Sequence, residues 1–187
     1  MRNLQCLLIS LSIGFAFAGT ARAELGQQLT ISGQTLQLNG AGTRSKTFIQ
    51  IYESGLYLKA PSRNANEILD QDELMAIRVR ITSGFVSRSS LVDSLREGLV
   101  QSTGGQTDPI KSETEMFIQT LQDEVKKNDV YDFIYMPNKG LFIVKNGTVL
   151  GTIPGLAFKK ALFGIWLSDS PIDQDLRQAM LSAPALR

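Results

Sequence analysis

The chain of 187 residues contains no histidine, one cysteine and one tryptophan. Without imidazole there is no Ser-His-Asp or Cys-His catalysis, no histidine metal site and no histidine pH switch. The only cysteine, Cys6, lies in an N-terminal segment read below as a cleaved leader, so thiolate chemistry and disulfides are absent from the working protein. Charge of one sign is lacking too. Nineteen Lys+Arg stand against 18 Asp+Glu, and a net charge of +1 does not supply the basic surface a nucleic-acid binder needs. No Asp-rich loop of EF-hand spacing is present, and neither a metal nor a cofactor is expected. Apolar content of 43% with 20% charged residues is ordinary for a packed chain of this length.

Residues 1–23 have the form of a secretory signal. A basic start at Arg2 precedes an apolar stretch from Leu4 to Ala18, too short to span a bilayer stably. Ala21-Arg22-Ala23 then supplies a small-x-small cleavage site. The residues before Cys6 do not include the small one expected ahead of a lipidated cysteine, so no lipoprotein is predicted. Cleavage after Ala23 removes Arg2 and Arg22, leaving 17 basic and 18 acidic residues, a net charge of −1 and no transmembrane segment. The expected compartment is the periplasm, and residues 24–187 are expected to form a single domain.

Short strands are predicted on either side of Gly33 between Leu29 and Leu38. Asn39-Gly40-Ala41-Gly42 reads as a tight turn interrupting the strand pattern. Thr47 to Lys59 is strand-like, with Gly55 suggesting a bulge. One or two helical turns follow at Asn64 to Leu69. Ile77, Val79 and Ile81 alternate with Arg78, Arg80 and Thr82, the pattern of a strand with one wet face. Ser87 can cap a helix with the stripe Leu91, Val92, Leu95 and Leu99. Asp108-Pro109 opens another, carrying Phe117, Ile118, Leu121 and Val125. Val130 to Met136 and Leu141 to Ile153 are strands, the latter folded at Asn146-Gly147 as a type I′ hairpin. Leu156 to Leu167 is an apolar helix, and Ser170-Pro171-Ile172-Asp173 resembles a capping box for the last one. The order predicts an α+β fold: a large antiparallel sheet with helices packed on one face, an open-faced sandwich.

Most polar clusters have bland explanations. Glu113, Glu115, Asp123 and Glu124 read as a solvated helix face, and Lys159-Lys160 as a wet one. Arg44 follows the glycine turn and precedes an apolar, aromatic segment. From local sequence it is either an exposed arginine or a guanidinium placed to grip a carboxylate or phenolate by forked hydrogen bonds.

The segment "LNGAGTRSKTFIQIYESGLYLK" (38–59) resembles the glycine-arginine signature of the chalcone isomerase superfamily. "KALFGIWLSDSPIDQDLRQAML" (160–181) resembles its C-terminal helical signature, and "SLREGL" (94–99) its middle helix. Exported bacterial members are the implied relatives. The resemblance implies a cleft between sheet and helices, and makes Arg44 the arginine that stabilises a phenolate in plant isomerases or holds a carboxylate in fatty-acid-binding members. The other plant catalytic positions fall at Tyr52, Leu91, Gly98 and Ala161. Only Tyr52 among these carries a side-chain donor. Positioning a nucleophile and stabilising its transition state requires several preorganised groups, whereas one guanidinium can hold an anion.

Arg44 and Tyr52 are therefore the expected ligand-binding residues, and a small amphipathic, fatty-acid-like anion the expected partner. Two other functions stay open: an intramolecular lyase of the isomerase type, and a structural or partner-binding envelope protein. One geometric obstacle stands against Tyr52. Eight positions along an unbroken strand separate it from Arg44 by roughly 26 Å. They meet only if the chain bends at Ser45-Lys46-Thr47, and nothing in that triplet demands it. The export reading carries its own test: an exporting host should yield a chain beginning at Glu24, seen by intact mass.

Overall fold

The structure, a computed structural model, describes residues 25–183. The expected signal at 1–23, Cys6 included, lies outside the described residues.

Seven strands form one antiparallel sheet in the order of the chain. They are β1 (Gln28–Ile31), β2 (Gln34–Lys46), β3 (Ile49–Leu58), β4 (Met75–Ile81), β5 (Val130–Met136), β6 (Gly140–Lys145) and β7 (Thr148–Ile153). Helix α1 (Ala65–Asp70) joins β3 to β4, and α2 (Arg88–Ser102) and α3 (Lys111–Thr120) join β4 to β5. Helices α4 (Leu156–Leu167) and α5 (Gln174–Met180) follow the sheet. This is the α+β arrangement predicted from the order of the elements.

Alternation along the strands decides which face is covered. Leu56, Ile77, Val79, Phe133 and Ile143 belong to the main core under the helices. The opposite face carries a smaller cluster of Leu36, Leu38, Tyr57, Leu74 and Ala76. Beside that cluster run cross-strand ion pairs. Arg78 grips Asp132 by two bonds of 2.7 and 3.0 Å, and Arg80 meets Glu53 at 2.9 Å. The strand face expected to be wet is a row of half-buried arginines, each opposite a carboxylate on the next strand.

Local details depart from expectation where neighbours override the chain. Asn39 to Gly42 is continuous strand, and its glycines face a helix instead of making a turn. The register shifts lie at Leu38/Gly40 and Arg44/Ser45, so Gly55 sits in regular strand. Asp108–Ile110 forms a separate 3₁₀ turn before α3, and α3 ends before Val125. The last helix is capped by Asp173, whose carboxylate accepts the Leu176 amide at 2.9 Å. Ile172 stays outside it because its amide donates to the Ile165 carbonyl at 2.8 Å. The predicted hairpin is present, with Asn146 at φ 50° and Gly147 at φ 81°, the backbone a type I′ turn requires.

Helix α4 is the centre of the helical layer, and nine of its residues are buried. One is Lys159, fully inaccessible and not on a wet face. Helix α1 covers it and turns its C-terminal end inward. The Lys159 ammonium donates to the carbonyls of Ile68 at 3.0 Å, Leu69 at 2.8 Å and Gln71 at 2.8 Å. Those oxygens have no helical partner, and the negative end of a helix favours a cation. Burial, with Lys160 beside it, lowers the Lys159 pKa to about 8, which leaves it largely charged at neutral pH. Lys159→Met should cost about 3 kcal/mol in denaturant unfolding, because it strands these carbonyls beneath an apolar side chain. Lys160→Met, at a half-exposed ion pair with Asp70, should cost less than about 1 kcal/mol.

Candidate functional site

Two bulges prepare the site. At the first, β2 carries an extra residue, Asn39, between the pairs Leu38–Tyr57 and Gly40–Leu56. An extra residue reverses the faces of everything after it. Leu36 and Leu38 lie on the back of the sheet, whereas Gly40, Gly42 and Arg44 look toward the helices. The Asn39 side chain holds this irregularity. It donates to the carbonyls of Ser62 and Met180, both at 2.9 Å, and accepts the Ser62 amide at 2.9 Å. A Cβ on Gly40 would strike the backbone of Ala179 and Met180, and one on Gly42 would come within 2.7 Å of the Ala179 side chain. The glycines are thus the seat of α5 on β2.

The second bulge and the β2–β3 turn bring the two candidate residues together. Thr47 takes φ 58° and the chain reverses between Lys46 and Ile49. Arg44 then pairs directly with Tyr52 across the hairpin, and Ile51 is the extra residue beside them. Their Cα atoms are about 5 Å apart, the spacing of opposed antiparallel residues. The assumption of an unbroken strand fails at the triplet where nothing in the local sequence demanded a bend. The Arg44 guanidinium carbon lies 5.9 Å from the centre of the Tyr52 ring, within cation–π range.

Arg44 and Tyr52 border a pocket between sheet and helices. Val79 of β4 with Tyr131 and Phe133 of β5 form its sheet side. Leu91, Ser94 and Leu95 of α2, Ile165 and Trp166 of α4, Leu121 and Ile172 complete it. The cavity as it stands measures about 30 Å³, room for roughly one water. Trp166 donates its indole N–H to the Tyr52 hydroxyl at 3.0 Å. No acceptor for the hydroxyl's own proton is found among the described hydrogen bonds. Burial pushes the Tyr52 phenol above its usual range, while the Arg44 charge and the Trp166 bond pull it down. The phenol is therefore neutral at physiological pH and can donate.

Of the other positions singled out by resemblance, only Leu91 lines the pocket. Gly98 lets α2 press against α4, since a Cβ there would come within 2.8 Å of Ile165. The Ala161 carbonyl accepts the Ser102 hydroxyl at 2.8 Å. Trp166, Ser94, Tyr131 and Phe133 were not anticipated. The last two could have been read from the alternation of β5, but Trp166 and Ser94 come from helices whose placement over Arg44 no local pattern announces. Among the described residues, no group of three or more Asp, Glu, Cys or His is placed to hold a metal ion.

A family model described as chalcone isomerase-like matches residues 18–182. The chain belongs to the chalcone isomerase-like family. Among solved structures it resembles a fatty-acid-binding protein of Arabidopsis thaliana, with a TM-score of 0.64 and 17% sequence identity. The likeness covers 83% of this chain and 96% of the plant one, and at that identity it establishes the shared fold. No curated protein gives a significant sequence match. Within this chalcone isomerase-like scaffold, the Tyr52–Trp166 bond clamps α4 to β3 at the pocket. Tyr52→Phe should leave the buried indole N–H unpaired and lower unfolding stability by about 1–2 kcal/mol, read from the denaturant midpoint.

Proposed function

We propose that the protein is a non-catalytic, periplasmic binding protein for a small amphipathic anion, fatty-acid-like in form, with Arg44 holding its head. The carrying observation is the placement of one half-buried guanidinium, with no carboxylate partner among the described ion pairs, at the border of a pocket otherwise walled by apolar and aromatic side chains. Pockets of this kind orient a guest by a few polar groups and hold the rest by burial. Tyr52, Ser94, Tyr131 and Trp166 are the other lining residues that carry a polar side-chain atom. The plant neighbour's description as a fatty-acid-binding protein supports the same class of guest.

An acyl chain requires the cavity to widen. Helix α2 supplies Leu91, Ser94 and Leu95 to the pocket, and packs closely on α4 near Gly98, further along its length. An isomerase-type reaction lacks support at Leu91, Gly98 and Ala161, which offer no side-chain hydrogen-bond donor to a reacting oxygen.

Trp166 is the only tryptophan and lies in the pocket, so its fluorescence reports occupancy directly. Titrating delipidated protein with oleate should change that emission saturably. Arg44→Ala should weaken uptake by about tenfold or more, the value of a charge-assisted bond to a carboxylate. Absence of uptake by the unsubstituted protein overturns the reading. So does chalcone cyclisation well above the buffer rate that disappears in Arg44→Ala.

A further inference from the structure

At one end of the sheet two phenylalanines stand in water. Phe48, at the β2–β3 turn, is 97% exposed and Phe85, in the β4–α2 loop, is 87% exposed. Ile49 beside Phe48 is 47% exposed. Single exposed apolar residues are common on protein surfaces. These sit on neighbouring loops: the Ile51 carbonyl accepts the amides of Thr82 at 3.0 Å and Ser83 at 3.3 Å. Both tips are built. Thr47 adopts φ 58° to make the turn, and the Phe85 amide donates to the hydroxyl of buried Ser83 at 3.1 Å.

Within the two tip segments the charge has one sign; outside them Asp173, at the start of α5, acts electrostatically on Tyr52, opposite Arg44. Between Arg44 and Gln50 the chain carries Arg44 and Lys46 and no acid, and between Thr82 and Arg88 it carries Arg88 and no acid. Arg88 is bonded to the Leu121 carbonyl and the Gln122 side chain, neither of them an acid. The loop leading into β5 ends at the same edge and is balanced, with Lys126 and Lys127 against Asp123 and Glu124. Asp129 there is neutralised by Lys145 at 3.1 Å. Aromatic tips within a cationic rim match the two layers of a membrane surface, acyl boundary and anionic headgroup.

We propose that this end of the sheet docks on an anionic lipid bilayer, with Phe48 and Phe85 entering the interface and Lys46 and Arg88 meeting the headgroups. Arg44 of the pocket lies two residues before Lys46, so docking sets the pocket's polar border near the membrane. The proposal does not depend on what the pocket holds, and its test does not involve oleate.

Tryptophan placed by Phe48→Trp, and separately by Phe85→Trp, reads each tip once the signal of the unsubstituted protein, whose only tryptophan is the pocket residue Trp166, is subtracted under the same conditions. With phosphatidylcholine vesicles containing roughly one-third phosphatidylglycerol, the new emission should shift to the blue and be quenched by brominated acyl chains. Lys46→Glu in the Phe48→Trp background should reduce the partitioning severalfold, and Phe48→Trp combined with Phe85→Ser should reduce it about tenfold. No shift and no quenching at either tip overturns the proposal. Equal partitioning on pure phosphatidylcholine overturns the role of the cations. A dimer that forms without vesicles and is lost in Phe48→Ser/Phe85→Ser assigns the tips to a second copy of the chain instead.

Discussion

The site depends on one extra residue in β2. Because side chains in a strand alternate, Asn39 reverses the two faces at the point where it is inserted. Without it, Arg44 would lie on the same face as Leu36 and Leu38, behind the sheet and away from every helix. The cost of a broken ladder is offset by three hydrogen bonds from the Asn39 side chain to the backbone of Ser62 and Met180. Those bonds also fasten α5. The bulge, the glycines under the helix and the arginine beyond them therefore act together, which accounts for their closeness in the sequence.

A second constraint follows from the hairpin. Reversal after Lys46 places Arg44 opposite Tyr52, and the indole of Trp166 fixes the Tyr52 hydroxyl from above. A cation, a neutral buried phenol and an indole share one small volume lined by carbon. Such a group is suited to holding the polar end of a molecule. The same hairpin ends in Phe48, so the chemistry of the pocket and the exposed aromatic tip are parts of one structural element.

Much of the fold was legible in the order of elements. Alternation identified β4 and β5, the Asn146-Gly147 pair identified the β6–β7 hairpin, and the apolar run from Leu156 identified α4. Errors arose where a side chain's neighbour lies far away in the chain. The glycines near Arg44 read as a turn because their partner, α5, is about 140 residues on, as the Asn39–Met180 bond shows. Lys159 read as solvent-facing because the carbonyls that accept its protons belong to α1, about 90 residues earlier. Arg44 was legible as a candidate. Its contact with Tyr52 was not, because the bend at Thr47 carries neither glycine nor asparagine to mark it.

Sequence alone determined the chemical repertoire: no imidazole, no thiol beyond Cys6, and therefore arginine, hydroxyls and carboxylates as the groups left for a site. It also determined the alternation and capping that define the elements, since these act over a few residues. Tertiary structure decided which face Arg44 occupies, that Tyr52 stands beside it and that Lys159 is buried. Those outcomes depend on a bulge, a turn and a helix contact whose energies come from atoms distant in the chain, and no local pattern carries that information.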